Sequence, residues 1–107
     1  MQNEETQEQE NSIENLIKAN EDQPGIIGNI PNPATEQTAI YYNLGNTSAI
    51  GEIVTTNIYG AVVARHKING NTNKIDIDCS ELASGIYFNT LFVEQNSIGT
   101  KKMVVVK

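Results

Sequence analysis

From residue 26 onward, apolar and β-branched residues come in short runs, and each run is closed by glycine, asparagine, proline or serine. That rhythm is the one expected of an antiparallel sandwich or barrel. Beyond the Pro24-Gly25 punctuation, nothing in it marks a helix longer than a turn.

The runs differ in ways that assign each a place. Residues 38–44 put Ile40, Tyr42 and Leu44 on one face. Residues 50–58 are rich in β-branched side chains, and Gly60 breaks the pattern before residues 61–68 resume it. Asn69-Gly70 reads as a tight hairpin-type turn, because both residue types tolerate positive φ. In residues 74–78, Ile75 and Ile77 face inward while Asp76 and Asp78 face water, the pattern of a half-buried antiparallel strand. Residues 86–93 are apolar on both parities and are expected to form a central strand covered on both faces. A turn at residues 95–97 then returns the chain into residues 98–107, so the last two strands form a hairpin. The expected fold is all-β: an immunoglobulin-like antiparallel β-sandwich of about seven strands, although the Cys…Trp…Cys signature of true immunoglobulin domains is absent. About 80 ordered residues bury roughly 60 % of their unfolded surface, enough to fold alone with a thin margin.

Charge divides the 107-residue chain at the same place as the rhythm. Residues 1–24 hold seven acidic residues against Lys18 alone, which accounts for the whole net charge of −6; the remainder is neutral. No cationic stripe exists to meet phosphates, so nucleic acid is not an expected partner. Residues 1–25 read as a mobile acidic linker, largely disordered or a short helix, and residues 26–107 as the domain. Asn11 and Glu14 have capping spacing, and Ile13, Leu16 and Ile17 would share one face of such a helix. No window approaches the roughly 20 apolar residues of a membrane span, and the N-terminus lacks the pattern of a signal peptide. The expectation is therefore the tail of something longer.

Catalytic chemistry finds little support. His66, the one histidine, lies between Arg65 and Lys67 and reads as a solvated strand residue, since a zinc site wants three or four clustered ligands. Cys79, the one cysteine, has no neighbouring base and reads as a packed thiol. Asn71, Asn73, Asp76, Asp78 and Glu81 offer oxygen ligands, but their spacing does not match a calcium loop. No phosphate-cradling glycine loop or Gly-x-Ser-x-Gly elbow occurs. No catalytic residue, metal, cofactor or small-molecule substrate is expected.

Four blocks in the second part of the chain occur in a recognisable order. Pro31-Asn32-Pro33-Ala34 is followed by Thr35 and an alternating strand; Thr56-Asn57-Ile58-Tyr59-Gly60-Ala61-Val62-Val63 is a strand, glycine turn and strand. Then come Ile75-Asp76-Ile77 with Leu82-Ala83-Ser84-Gly85-Ile86-Tyr87, and last Lys101-Lys102-Met103-Val104-Val105-Val106-Lys107. From about Gly28 onward the chain resembles the type A C-terminal sorting domain of the type IX (Por) secretion system. It departs from that family at Ala61, where a basic or amide residue is common.

The resemblance implies a secretion signal that directs an attached cargo across the outer membrane of a Bacteroidota-type cell. The implied partners are the type IX translocon, its outer-membrane shuttle protein and a sortase-like cysteine peptidase. The implied route runs through the periplasm to the cell surface or beyond, with cleavage of the domain and anchoring of the cargo. It marks Gly85, Tyr87, Lys101, Lys102, Val104, Val105, Val106 and Lys107 for translocon recognition, by edge pairing and lysine contacts. Pro31, Asn32 and Pro33 would form a stiff turn handing the linker to the first strand. Cleavage would fall between residues 20 and 29, chiefly at Asn20, Glu21, Asp22, Gln23, Pro24 and Gly25, where an exposed linker suits a protease.

Two other readings stand beside it. A sandwich adhesion module would need an exposed aromatic platform, but the chain has no Trp, and Tyr41, Tyr42, Tyr59 and Tyr87 read as strand residues. An oligomerising tail would continue residues 11–19 into a coiled coil, which needs heptads this chain lacks.

Overall fold

A computed structural model describes residues 23–107. The expected acidic linker, the short helix expected around residues 11–19 and the Asn20–Asp22 part of the expected cleavage zone lie outside the described residues.

Seven strands form where the short runs were read: β1 (Gly25–Ile30), β2 (Gln37–Asn43), β3 (Ile50–Asn57), β4 (Val62–Asn69), β5 (Lys74–Asp78), β6 (Gly85–Val93) and β7 (Asn96–Val105). They pair antiparallel into two sheets, one ordered β1-β2-β5 and the other β4-β3-β6-β7. β4 stands beside β3 in the sheet that also holds β6 and β7, the position an added strand takes in variable-type immunoglobulin domains. The two inner faces supply one core. Ile40, Ile53, Leu91 and Met103 are fully buried there, each contributing about 1.5–3 kcal/mol of transfer free energy. Alternation predicted this correctly for β5, where Ile77 is buried and Asp76 and Asp78 are exposed.

Polar groups inside the sandwich are paired across strands, as burial demands. Thr55 on β3 donates to Asn89 Oδ1 on β6 at 2.6 Å, and Asn89 Nδ2 reaches Met103 Sδ at 3.5 Å. Tyr42 is buried on β2, its hydroxyl bonded to Thr72 and donating to the Lys74 carbonyl. Burial holds that phenol above its ordinary pKa, and the Thr72 bond offsets part of the rise.

Several local expectations are corrected. β6 is central, between β3 and β7, but only its inner face is covered: Tyr87, Asn89, Leu91 and Val93 are buried, while Phe88, Thr90 and Phe92 are half-buried and Ile86 is exposed. No second layer lies on its outer side among the described residues, because the sandwich has two sheets and both pack inward. The last hairpin turns at Glu94-Gln95, both with positive φ (52° and 73°), so β7 begins at Asn96. That is the two-residue connection whose twist suits a hairpin. Asn69-Gly70 is not a hairpin, since β4 and β5 belong to different sheets and the turn carries the chain between them. Neither residue has positive φ in the left-handed region. Gly70 is needed for another reason: a Cβ there would land on the Asn46 carbonyl.

His66 is the last correction. It pairs with Ile53, which is fully buried, so its ring points to the inner face of edge strand β4 and not into solvent. Its Nε2 is buried without a partner, and desolvation lowers its pKa.

Candidate functional site

The four sequence blocks converge at one end of the sandwich, around the last strand. The convergence starts with two buried polar residues. Asn29 at the end of β1 donates to Thr38 Oγ1 (3.0 Å) and to the Pro31 carbonyl (3.1 Å), and the Thr38 hydroxyl donates to that same carbonyl at 2.8 Å. Pro31 is thereby fixed where β1 leaves the sheet. Both X-Pro bonds of the motif, Ile30-Pro31 and Asn32-Pro33, are cis.

Held in that way, Asn32 points along the outer edge of β7. Its Nδ2 donates to the Lys102 carbonyl at 3.3 Å and its Oδ1 accepts from the Val104 amide at 2.9 Å, so one side chain imitates a paired residue. Ala34 continues the contact with its backbone. Its N–H donates to the Val104 carbonyl (2.7 Å), and its carbonyl accepts from the Val106 amide (2.8 Å), a parallel bridge to Val105. The motif is thus not an entry turn ahead of the first strand: β1 precedes it, and it fastens the far edge of β7. The edge between Lys102 and Val106 is thus covered by Asn32 and Ala34 within the domain itself.

Each residue marked for recognition has a definite place. Lys101 and Lys102 are exposed, Val104 is half-buried and Val106 is exposed, whereas Val105 belongs to the core. Lys107 turns back on the domain. Its Nζ donates to the Thr35 carbonyl at 2.8 Å and the Cys79 carbonyl at 2.7 Å, while its amide donates to Ser84 Oγ. Tyr87 is buried with its hydroxyl donating to the Ala83 carbonyl at 2.7 Å, an arrangement that fixes the approach to β6. Gly85 is exposed and extended at the start of β6, and a Cβ there would meet only the Tyr87 ring at ordinary contact distance.

The stretch expected to be an exposed linker, residues 20–29, runs into the first strand. Gly25 pairs with Asn43 and opens β1, so residues 25–29 are strand, while Gln23 and Pro24 are exposed ahead of it. The Gln23 carbonyl accepts from Asn43 Nδ2 at 3.0 Å.

Groups with chemical potential lie apart. Cys79 is buried and its backbone N–H donates to the Glu36 carbonyl; desolvation raises the thiol pKa, away from the thiolate. Asp78 is exposed and accepts from the Ser80 amide, and hydrogen bonds from Ser80 hold its carboxyl below the usual range. Among the described residues no group of three His, Cys, Asp or Glu side chains is placed to hold a metal ion. A shallow hollow of about 780 Å³ lies on the outer face of the larger sheet, with Ile50, Glu52, Val54 and Phe92 in its lining. One ion pair, Arg65–Glu52 at 3.3 Å, stands at its side, exposed enough to contribute little.

Sequence reasoning missed two features. Tyr59 is not a strand residue: it sits at the β3–β4 turn, 88 % exposed, with Ile58 61 % exposed beside it. The bonds of Asn32 to β7 also had no local signal, since they join residues about 70 positions apart.

The family model described as "Secretion system C-terminal sorting domain" matches residues 30–107. No curated protein matches the chain. Among solved structures, the fold is similar to part of the crystal structure of dimeric latent PorU from Porphyromonas gingivalis, with a TM-score of 0.63 and 21 % sequence identity. That match covers 78 % of this chain and 9 % of PorU.

Proposed function

The chain belongs to the family of secretion system C-terminal sorting domains, and from that premise we propose that it directs an attached cargo through the type IX secretion system. The observation that carries the reading is the span of the match, from Ile30 at the head of the proline motif to Lys107, together with the interlocking of those two regions. A sorting signal acts by being recognised and has no need of chemistry of its own. A small domain with two folded sheets and an apolar core suits that task.

The cargo is attached ahead of residue 1 and crosses the outer membrane to the cell surface or the extracellular space after passing through the periplasm. The partners are the translocon, its outer-membrane shuttle protein and a sortase-like cysteine peptidase. Lys101, Lys102, Val104 and Val106 are the recognition residues the partner touches. Gly85, Tyr87, Val105 and Lys107 act by holding the last strand in place, as does the Pro31-Asn32-Pro33 motif. Cleavage falls in residues 20–24, ahead of β1, and frees the cargo for anchoring. In PorU the similar part is likewise a small share of a much longer chain.

The test is export of a reporter fused to the complete chain in a type IX-competent host, beside a Lys101→Ala/Lys102→Ala version. Both lysines are exposed, so the substitutions leave the core intact. The expected result is surface reporter from the first and periplasmic accumulation of the second. A folded, intact fusion that stays in the periplasm of a competent host would sink the reading.

A further inference from the structure

The β3–β4 turn is built to hold two large side chains in water. Asn57 closes it from both sides: its Oδ1 accepts from the Tyr59 and Ala61 amides at 2.9 and 3.1 Å, its carbonyl accepts from Gly60, and its amide donates to the Ala61 carbonyl. Gly60 takes the positive φ (84°) that the turn requires. So ordered a loop with Ile58 and Tyr59 pointing outward has no role in the core. A rigid aromatic side chain already fixed in place gives contact area at little entropic cost.

Register places this turn beside the last strand. Asn57 pairs with Tyr87, and Ile86, one residue before it, pairs with Val104. The turn, the start of β6 and the end of β7 therefore follow one another across one end of the larger sheet. Among the described residues, eight large apolar side chains are exposed, and six of them gather at this end: Ile58, Tyr59, Val62, Val63, Ile86 and Val106. A β-bulge opposite Thr55-Thr56 adds to the exposure by leaving Val63 without a partner of its own on β3. No charged residue occurs in residues 53–64 or 83–93, and residues 98–107 contain three lysines and no Asp or Glu. Lys107 is bonded to the Thr35 and Cys79 carbonyls and lies near Asp78, so Lys101 and Lys102 are the cations this strand presents outward.

We propose that the Ile58-Tyr59 turn, with Ile86 and Val106, is a second contact surface of the sorting signal, which seats in an apolar recess edged by carboxylates on a protein of the export machinery. The proposal rests on the sorting reading: a signal is read by a protein, and this surface is continuous with the exposed residues of the last strand. The apolar side chains supply affinity and the lysines supply orientation towards acidic groups.

The experiment uses the complete chain fused to a reporter in a type IX-competent host, with three variants: Ile58→Ser/Tyr59→Ser, Ile50→Ser at the opposite end, and Lys101→Ala/Lys102→Ala. Thermal midpoints of the purified proteins are compared alongside. Loss of about tenfold or more of surface reporter in the turn variant, with its midpoint kept and Ile50→Ser unaffected, is the expected result. If the turn variant melts early, Tyr59→Lys alone, which keeps every backbone bond of the turn, takes its place with the same expectation. Normal export of the turn variant while the lysine variant is blocked overturns this proposal and leaves the sorting reading standing. Failure of the unmodified fusion removes both. An equal loss with Ile50→Ser overturns it too, because general apolar exposure would then be the cause. Sedimentation with phosphatidylglycerol vesicles supplies the last arm: binding by the unmodified chain that disappears in the turn variant would move the contact to lipid and overturn a protein partner.

Discussion

The two ends of the sandwich use glycine and apolar residues in opposite ways. At the end where β4 crosses to β5, Gly70 lies against the backbone of Asn46 and Thr47, and the Gly70 amide donates to the Ala49 carbonyl at 2.9 Å. Close approach of two turns is what holds that end, and it leaves no room for a side chain. At the other end Gly60 has open space around it and is required only by its φ, in a turn that displays Ile58 and Tyr59 to water. One end is shaped by fit within the molecule, the other by what it presents outside.

The sharpest way to break that contrast is to add one methyl group at each end. Gly70→Ala should destabilise the domain by more than about 3 kcal/mol, since backbone must move to admit a Cβ. Gly60→Ala should cost about 1 kcal/mol, the strain of a left-handed alanine. Denaturant midpoints compare the two, and equal losses would erase the distinction.

Asn32→Ala comes next. It removes both bonds to β7 but leaves the Ala34 bridge, at a cost of about 1 kcal/mol. Hydrogen exchange should accelerate at the Val104 amide, which loses its acceptor, and hardly at all in β3. Uniform acceleration would mean that Asn32 supports the fold generally and not the last strand.

The smallest effect concerns pH. Burial favours neutral His66, so its folded pKa lies below the ordinary 6.5. The unfolded chain then binds the proton more readily, and stability falls as pH drops below about 6.5. The thermal midpoint should decrease between pH 7.5 and 5.5, and the decrease should shrink in His66→Gln. An unchanged pH dependence would return His66 to solvent.

Much of the fold was legible because its signals are local. Strict alternation in residues 74–78 gave β5 and its faces, and the β-branched run at residues 50–58 gave β3. What was not legible depends on partners distant in the chain. Asn69-Gly70 has the composition of a hairpin turn, and only the position of Asn46 reveals that the glycine answers to packing. Apolar residues on both parities of β6 suggested two covered faces, yet the outer set is half-exposed because only two layers exist. The bulge at Val63 and the neighbouring Arg65 and Lys67 concealed the inward His66. Tyr59 reads as strand because it follows a β-branched run, although Asn57 and Gly60 enclose it in a turn. The four blocks were visible as words in the sequence, while their arrangement into one end of the sandwich followed from sheet order.

The bonds from Asn32 and Ala34 to β7 have a consequence for synthesis. The first half of this fastening leaves the ribosome long before the second, and a chain halted short of Lys102 offers Asn32 nothing to bond. The last strand takes its final position only when both are present, so the finished shape of this end is a mark of a message translated through to Val106. A chain that stops before these residues lacks both the bonds and the edge they cover.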